Sequence, residues 1–267
     1  YGRFSSRDWH LVDDRLMELI AHPTVVGALR QLMGDDLLVW RSSTFIKPPF
    51  GSEIGWHQEW GTFAGLEYGN DIPSLRPMPP IQEPWNVTIW FALVDVAEEM
   101  GPIQFIRGSH NHQYPVAQVA MPESAFFDPT FGGIDDPQEF VRRARAHTLV
   151  IDIDTSKFFE NVDIETLTLE NAKRIVIDGL SRLTGEIALP FDIVPDTLVT
   201  MPMKRGEYVI FYERTMHGSG PNRTAKPRSA VNFRVTPSST LIYPPRLEGR
   251  YMDGSNLDIR HPHFILP

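Results

Sequence analysis

The chain has 267 residues, of which 42% are hydrophobic and 11% aromatic, and its formal net charge is -9. This length and composition suit one domain with a full core and exclude a disordered chain. Because the chain contains no cysteine, disulfides, iron–sulfur clusters, thiolate zinc sites and cysteine nucleophiles are excluded, and a metal must be bound by His, Asp and Glu. The negative charge disfavours nucleic acid as a partner.

The sequence lacks the signals of several large classes of protein. No segment approaches the roughly eighteen consecutive apolar residues of a membrane span, and the first residues do not resemble a secretory signal. We therefore expect a cytoplasmic protein with no membrane partner. A G-x-S-x-G elbow, a P-loop, a G-x-G-x-x-G turn and an H-E-x-x-H helix are also missing, which disfavours the corresponding hydrolase, nucleotide-binding and metalloprotease functions.

The predicted elements begin with helices and continue with strands. Apolar spacing predicts two short helices over residues 11–22 and 25–33, separated by Pro23 and ended by Gly34. Strand-like runs bounded by Pro and Gly then follow at 37–45, 87–96, 103–106, 208–212 and 230–236. Without a regular alternation of strands and helices, these runs favour an all-β core with helices, in the form of a jelly roll, over a parallel sheet.

One long segment interrupts this strand pattern. Residues 113–198 contain helix-like stretches at 137–146 and 166–183 together with several acidic residues. We interpret the segment as an insertion into a single domain that spans residues 1–267. Such an insertion can form a lid or a partner surface, and a solvated face over a packed helix is the plainer interpretation.

Two histidines and a glutamate form the candidate metal site. His57 and Glu59 stand two residues apart, so on a strand their side chains would share one face. With the distant His217 they would give Fe(II) two imidazoles and one carboxylate, leaving positions for a cosubstrate and O2. A His-x-Glu pair also occurs by chance, and most single histidines are surface or core residues.

An arginine near His217 extends this pattern. Arg228 lies eleven residues after His217, and its guanidinium could hold a carboxylate through two parallel hydrogen bonds. 2-Oxoglutarate requires both a metal site and such an arginine, since one end chelates iron and the carboxylate at the other end needs a fixed cation. Taken alone, Arg228 is more often a solvated or salt-bridged strand residue, so the prediction depends on the ordered combination.

At these residues the sequence resembles the phytanoyl-CoA dioxygenase superfamily of Fe(II)- and 2-oxoglutarate-dependent oxygenases. The similar segments, in the order of that family, are VWRSSTFIKPPFG, GWHQEWGTF, VTIWFALVDV, GPIQFIRGSHN and MKRGEYVIFYERTMHGSGPN, followed by the terminal Arg of HGSGPNRTAKPR. The resemblance covers roughly residues 30–112 and 198–245. Within the superfamily it is nearest to the syringomycin-type non-haem halogenases.

The resemblance implies a fold, cofactors and site residues. The implied fold is a double-stranded β-helix of the cupin-like jelly-roll class, and the implied cofactors are Fe(II), 2-oxoglutarate and O2. His57 and His217 would bind iron, and Arg228 would hold 2-oxoglutarate. Thr88 and Trp90, which alternate on one strand, would line the cosubstrate pocket.

One departure from the halogenase group bears on the reaction. Those halogenases carry Ala or Gly in place of the metal-binding carboxylate, which leaves room for chloride, whereas this chain has Glu59. We therefore expect hydroxylation rather than chlorination. The usual carboxylate of the superfamily is Asp, and a rotamer change or a small strand shift would have to absorb the extra methylene of Glu.

The substrate and some alternatives stay open. Arg41, Phe45, Trp60 and Arg234 lie near the motifs and are candidate substrate residues, although each is equally plausible as a core or paired residue. The substrate would be a free small molecule or an aminoacyl group on a carrier protein. The same chemistry could instead give desaturation, epoxidation or cyclisation. There are two non-enzymatic alternatives. One is a metal-binding jelly roll without catalysis, and the other is a purely structural or interaction role.

Overall fold

Two antiparallel sheets form the body of the protein. A computed structural model describes residues 8–59, 75–76, 86–124, 127, 129–145, 149, 155–242 and 264–266. In these residues a five-stranded sheet has the order β13-β1-β11-β4-β9 and a four-stranded sheet the order β2-β10-β5-β8. The first sheet consists of β1 (Leu37–Lys47), β4 (Val87–Ala92), β9 (Tyr208–Tyr212), β11 (Arg228–Pro237) and β13 (Phe264–Ile265).

The second sheet carries both predicted histidines. It consists of β2 (Ile54–His57), β5 (Ile103–Ile106), β8 (Leu198–Met201) and β10 (His217–Ser219). Two short ribbons accompany the sheets: β3 (Leu75–Arg76) pairs with β12 (Leu241–Ile242), and β6 (Val116–Ala120) pairs with β7 (Thr184–Ala188).

The outer face of the larger sheet is covered by the N-terminal helices. These are α1 (Asp14–Ile20) and α2 (Pro23–Met33). Pro23 opens α2, where its missing N–H costs nothing, and Gly34 ends the helix with a positive φ of 91°. Their apolar side chains pack on every second residue of the central strands, including Ile89, Phe233 and Val235. This burial explains why the outer face of those strands is apolar.

The alternate residues of the same strands face the smaller sheet. Trp90 and Ala230 belong to a buried cluster that also contains Phe105 and Phe211, and the partly buried Met201 packs against it. This cluster therefore joins strands of both sheets. Because strand residues alternate in direction, Arg228, Asn232 and Arg234 of β11 point to this inner face with Ala230. Charged side chains therefore enter the interior of the jelly roll from the larger sheet.

The insertion has an apolar cluster of its own. Its helices are α3 (Pro137–Arg145) and α4 (Leu169–Leu180), whose buried residues include Phe140, Val176 and Leu180. The second helix begins later than predicted because the hydroxyl of Thr168 accepts from the backbone N–H of Asn171 and caps it.

The sequence predicted much of this architecture. The expected jelly roll is confirmed, and the strands 103–106 and 208–212 have the predicted ends. Two strands are longer than predicted, β1 by two residues and β11 by three, because each continues to pair with the other as far as Lys47 and Arg228. None of the helices in the described part of the chain is long and apolar enough to cross a bilayer.

A glycine next to the smaller sheet provides a test of this packing. Gly101 has a φ of +67°, and a Cβ there would lie 2.1 Å from the backbone oxygen of Gly220. Gly101→Ala should therefore lower the free energy of unfolding by at least about 2 kcal/mol. Urea titration followed by circular dichroism measures this change.

The matched control is Gly27→Ala in α2, where a Cβ meets nothing within 4 Å. This substitution should raise the free energy of unfolding by about 0.5 to 1 kcal/mol, since alanine favours a helix. Equal effects of the two substitutions would show that the contact at Gly101 is not tight.

Candidate metal centre

Two of the predicted ligands lie directly opposite each other. His57 ends β2, His217 begins β10, and the two residues are partners in the strand register. Their ring centroids are 4.1 Å apart. The two histidines stand 160 positions apart in the sequence, and one pair of neighbouring antiparallel strands brings them together.

The orientation of both rings suits metal binding. Nδ1 of His57 lies 2.8 Å from the carbonyl oxygen of Gly55, and Nδ1 of His217 lies 2.8 Å from that of Thr215. Because a carbonyl oxygen only accepts, each Nδ1 carries the hydrogen and each Nε2 keeps its lone pair. A backbone partner on the second ring nitrogen is characteristic of histidines that bind metals.

The surroundings keep both imidazoles neutral. Burial, against the opposing effect of the hydrogen bond that Nδ1 donates to the Gly55 carbonyl, lowers the pKa of His57 to about 4. The pKa of His217 is lowered well below its ordinary value, first by burial and then by the nearby His57. Phe105 and Phe211 contact the His217 ring with centroids 6.2 and 4.8 Å away. Neutral imidazoles are the form that binds a cation.

Glu59 lies two residues beyond the end of the strand that carries His57. Strand β2 ends at His57, so the predicted i, i+2 alternation does not reach Glu59. Its backbone N–H donates to the carbonyl of Glu213 at 3.1 Å, and its carboxylate pairs with the guanidinium of Arg234. Within the described residues no three His, Asp or Glu side chains lie close enough to hold a metal ion. The mostly buried guanidinium of Arg234 therefore pairs with the Glu59 carboxylate, which was predicted to bind the metal.

Gln58 fixes the turn between these two residues. Its amide nitrogen lies 3.1, 2.8 and 2.7 Å from the backbone oxygens of Ser109, His112 and Arg214, and its amide oxygen accepts from the N–H of Tyr114 at 2.9 Å. No local signal reveals such a role, since all four partners are distant in sequence.

Arg228 has the environment that a carboxylate-binding residue needs. It is 4% exposed, and its guanidinium lies 5.4 Å from the ring centroid of Trp90. Its Nε has no hydrogen-bond partner in the described part of the chain, and burial lowers the pKa of Arg228 to about 10. A buried cation with an unused donor is costly unless an anion joins it. The residues present therefore fit a bound dicarboxylate.

The remaining predicted residues lie on the inner face of the larger sheet. Thr88 is the register partner of Arg234 and Phe211, and Trp90 that of Asn232. A bulge between Val39 and Arg41 shifts the register of β1, and this shift places Arg41 opposite Arg234. Arg41 is 2% exposed, and its guanidinium lies 4.7 Å from the Trp40 ring. Phe45 packs against the inner cluster, and Trp60 lies outside the described residues.

A buried polar network, which the sequence did not reveal, supports this region. The indole N–H of Trp40 donates to Asn86 at 2.9 Å, and the amide of Asn86 donates to the carboxylate of Glu213. Glu213 is fully buried and its backbone holds Glu59. The only feature of the sequence that pointed to Glu213 was its position four residues before His217.

The insertion also touches the strand of His57. Phe191, which follows β7, contacts Trp56 of β2 with ring centroids 6.3 Å apart. It also contacts Tyr114, with centroids 4.7 Å apart. The end of the insertion thus packs beside a metal-site strand.

The pair of Glu59 and Arg234 gives a prediction for stability. Their side chains are 15% and 10% exposed, so Arg234→Met should lower the free energy of unfolding by about 3 kcal/mol by leaving a buried carboxylate alone. Adding Glu59→Gln should recover part of this loss. Urea unfolding of both single variants and of the double variant in EDTA measures the coupling free energy between the two side chains. If the two single losses of unfolding free energy simply add in the double variant, the two side chains do not form the pair.

The depressed histidine pKa values predict acid sensitivity. Between pH 6.5 and about 4 the unfolded chain binds protons on His57 that the folded protein excludes. The free energy of unfolding must therefore fall as the pH falls through this window. Thermal melts in EDTA should show this fall in stability with pH for the native protein and a smaller fall for His57→Gln. An unchanged slope in His57→Gln would refute the assignment.

Comparison with known proteins gives a family match over most of the chain. The profile of the family described as Phytanoyl-CoA dioxygenase (PhyH) matches residues 3–160 and 188–230. An ectoine dioxygenase of Bordetella bronchiseptica is 24% identical over 241 residues, covering 89% of this chain and 58% of that protein. A probable alpha-ketoglutarate-dependent hypophosphite dioxygenase of Stutzerimonas stutzeri is 22% identical over 80% of this chain and 50% of its own length. The chain thus spans little more than half of these relatives.

Solved structures support the fold. The non-heme monooxygenase ThoJ superposes with a TM-score of 0.53 at 20% identity, covering 91% of this chain and 62% of ThoJ. The epimerase SnoN, in complex with Fe3+, alpha ketoglutarate and nogalamycin RO, gives 0.52 at 17% identity, covering 97% of this chain and 75% of SnoN. Both comparisons support the jelly roll alone. Together with the profile match, they complete the assignment: the chain belongs to the phytanoyl-CoA dioxygenase family, whose cofactors are Fe(II) and 2-oxoglutarate.

Proposed function

We propose that this protein is an Fe(II)- and 2-oxoglutarate-dependent dioxygenase that hydroxylates an unactivated C–H bond of a small molecule. The observation that carries the proposal is the buried guanidinium of Arg228, with its unused Nε, in the jelly roll that pairs His57 with His217. A metal-binding jelly roll without catalysis would use the histidines but would give Arg228 no ligand.

The metal would be held by this chain's two imidazoles and one carboxylate. The Nε2 atoms of His57 and His217, which are not the ring nitrogens bonded to the backbone carbonyls, would be the ligand atoms. Glu59 would be the third ligand, and its carboxylate would turn from Arg234 towards the imidazoles. A carboxylate on the metal leaves no ligand position of the kind that halogenases open for chloride, which favours hydroxylation.

Iron and 2-oxoglutarate, when bound, supply the oxidising chemistry: O2 is consumed, 2-oxoglutarate becomes succinate and CO2, and the substrate gains one oxygen atom. The protein's own residues bind and orient. Arg228 holds the distal carboxylate, and Trp90 supports its guanidinium from one side. Phe105 and Phe211 exclude water from the imidazole of His217.

The inner face of the larger sheet provides the substrate pocket in this proposal. Arg41 and Arg234 both lie near the ring of Trp40, at 4.7 and 5.8 Å from its centroid. Two guanidiniums favour a substrate with a carboxylate or another anionic group. The two dioxygenases named above are called after the small molecules ectoine and hypophosphite. Their names favour a free small molecule over a carrier-bound substrate.

Anaerobic titration with Fe(II) and 2-oxoglutarate tests the proposal without a known substrate. The native protein should show the weak visible charge-transfer band of an iron–2-oxoglutarate chelate. Arg228→Ala should weaken 2-oxoglutarate binding on the order of 30-fold, since hydrogen bonds to charged groups contribute about 2 kcal/mol. The exposed control Arg182→Ala should bind as the native protein does.

The outcomes separate the alternatives. Tight iron binding without the band would refute the proposal and leave a metal-binding jelly roll. Once a substrate is found, a mass gain of one oxygen atom supports hydroxylation, whereas the loss of two hydrogens identifies desaturation.

A further inference from the structure

A row of polar side chains crosses the inner face of the larger sheet. Arg41 on β1 is the register partner of Arg234 on β11, and Arg234 is in turn the register partner of Thr88 on β4. Register partners face the same side of a sheet, and all three residues are buried, with Arg234 the most exposed at 8%. The row therefore presents two guanidiniums and a hydroxyl side by side in the interior.

This row lies at the metal end of β11. Burial is the largest cause that lowers the pKa of His57 and of His217, and the charge of Arg234 lowers both pKa values further. Arg228 begins β11 and Arg234 lies further along the same strand, so their Cα atoms are about 20 Å apart. The guanidinium of Arg234 is therefore close enough to act on both imidazoles, and it is separate from the guanidinium that would hold 2-oxoglutarate.

Glu59 reaches this row from a fixed backbone. Its N–H donates to the carbonyl of Glu213 at 3.1 Å, and the side chain of the preceding Gln58 is bonded to the backbone of other segments. The Glu59 carboxylate pairs with Arg234. A glutamate side chain has one more rotatable bond than an aspartate side chain. Its carboxylate can therefore move between two partners while the backbone stays in place.

A metal at the imidazoles would change the charge balance of the row. If Glu59 becomes the third ligand, its negative charge leaves Arg234 while a divalent cation arrives nearby. A buried guanidinium that loses its carboxylate is costly, so the row then favours an anion from outside the chain. Arg41 and Thr88 stand on either side of Arg234, and both carry donors that can share such an anion.

We propose that the Glu59 carboxylate exchanges between Arg234 and the metal, so that metal loading opens Arg234 to an anionic group of the substrate. The pairing seen in this structure closes that position with the chain's own carboxylate. Metal and substrate anion then bind with positive coupling, because both favour the same position of Glu59. The inference rests on the proposed function, since it describes how the substrate side of that site is controlled.

The first measurement is the affinity of EDTA-stripped protein for Mn(II) alone, read from the electron paramagnetic resonance signal of free Mn(II). Arg234→Met removes the competitor for Glu59 and should strengthen Mn(II) binding. The same substitution in a Glu59→Gln background removes only the repulsion between the guanidinium and the cation. The gain should therefore be larger in the native background, by on the order of 10-fold.

The second measurement follows an anion directly. The probe is methanesulfonate, a small anion and a poor metal ligand, whose methyl signal reports binding by saturation-transfer NMR. An Arg228→Ala background removes the other guanidinium from the measurement. Methanesulfonate should bind the Zn(II)-loaded protein on the order of 10-fold more tightly than the EDTA-stripped protein.

Glu59→Gln separates the effect of the carboxylate from the attraction of the metal itself. In the same background, EDTA-stripped Glu59→Gln should bind methanesulfonate about as tightly as the Zn(II)-loaded protein does, because Arg234 is released without any metal. This variant keeps the test decisive if Arg234→Met folds poorly. The exposed control Arg182→Met should change neither measurement, and thermal unfolding establishes that each variant is folded.

Each outcome has one meaning. Equal gains in Mn(II) affinity from Arg234→Met in the two backgrounds would show that Arg234 does not compete for Glu59 and would overturn the inference. Equal binding of methanesulfonate to the stripped protein with Glu59 and with Gln at this position would overturn it as well. Neither measurement uses 2-oxoglutarate. The absence of the iron–2-oxoglutarate band therefore refutes the proposed function, whereas the band together with equal Mn(II) gains refutes only the exchange.

Discussion

The antiparallel pairing of β1 with β11 is the interaction on which the rest of the structure depends. It is the longest pairing of the larger sheet, and its register sets which side chains enter the space between the sheets. A shift by one residue would send every one of them to the opposite face. The apolar residues under the helices, such as Phe233 and Val235, would then exchange places with Asn232 and Arg234.

This register brings cations together in two places. Lys47 lies opposite Arg228 at one end, and the bulge after Val39 lets Arg41 lie opposite Arg234 further along. Buried arginines and lysines are costly without partners. At one place the partner is Glu59, whereas the other place leaves the Nε of Arg228 available. In this structure a carboxylate of the chain neutralises one of the two places, whereas the other keeps a donor for the carboxylate that the proposed function assigns to it.

The sequence was most informative where a single local pattern determines the outcome. Apolar runs predicted the central strands, and the resemblance identified His57, His217 and Arg228 in segments that the fold does bring to one interior. The pair of Glu59 and Arg234 and the contacts of Gln58 could not be predicted. Glu59 and Arg234 are 175 residues apart, and strand β2 ends before the alternation reaches Glu59. Such contacts depend on the register and on where a strand ends, and no pattern in one sequence specifies either.

The separate apolar cluster of the insertion has a consequence for how substrate preference can change. Phe140, Val176 and Leu180 are buried without belonging to the cluster between the two sheets, while Phe191 still contacts Trp56 beside His57. Mutations in residues 113–198 can thus alter the surroundings of Trp56 and His57 without repacking the cluster between the two sheets. Under the proposed function, substrate preference would diverge by this route while the metal and cosubstrate chemistry stays constant.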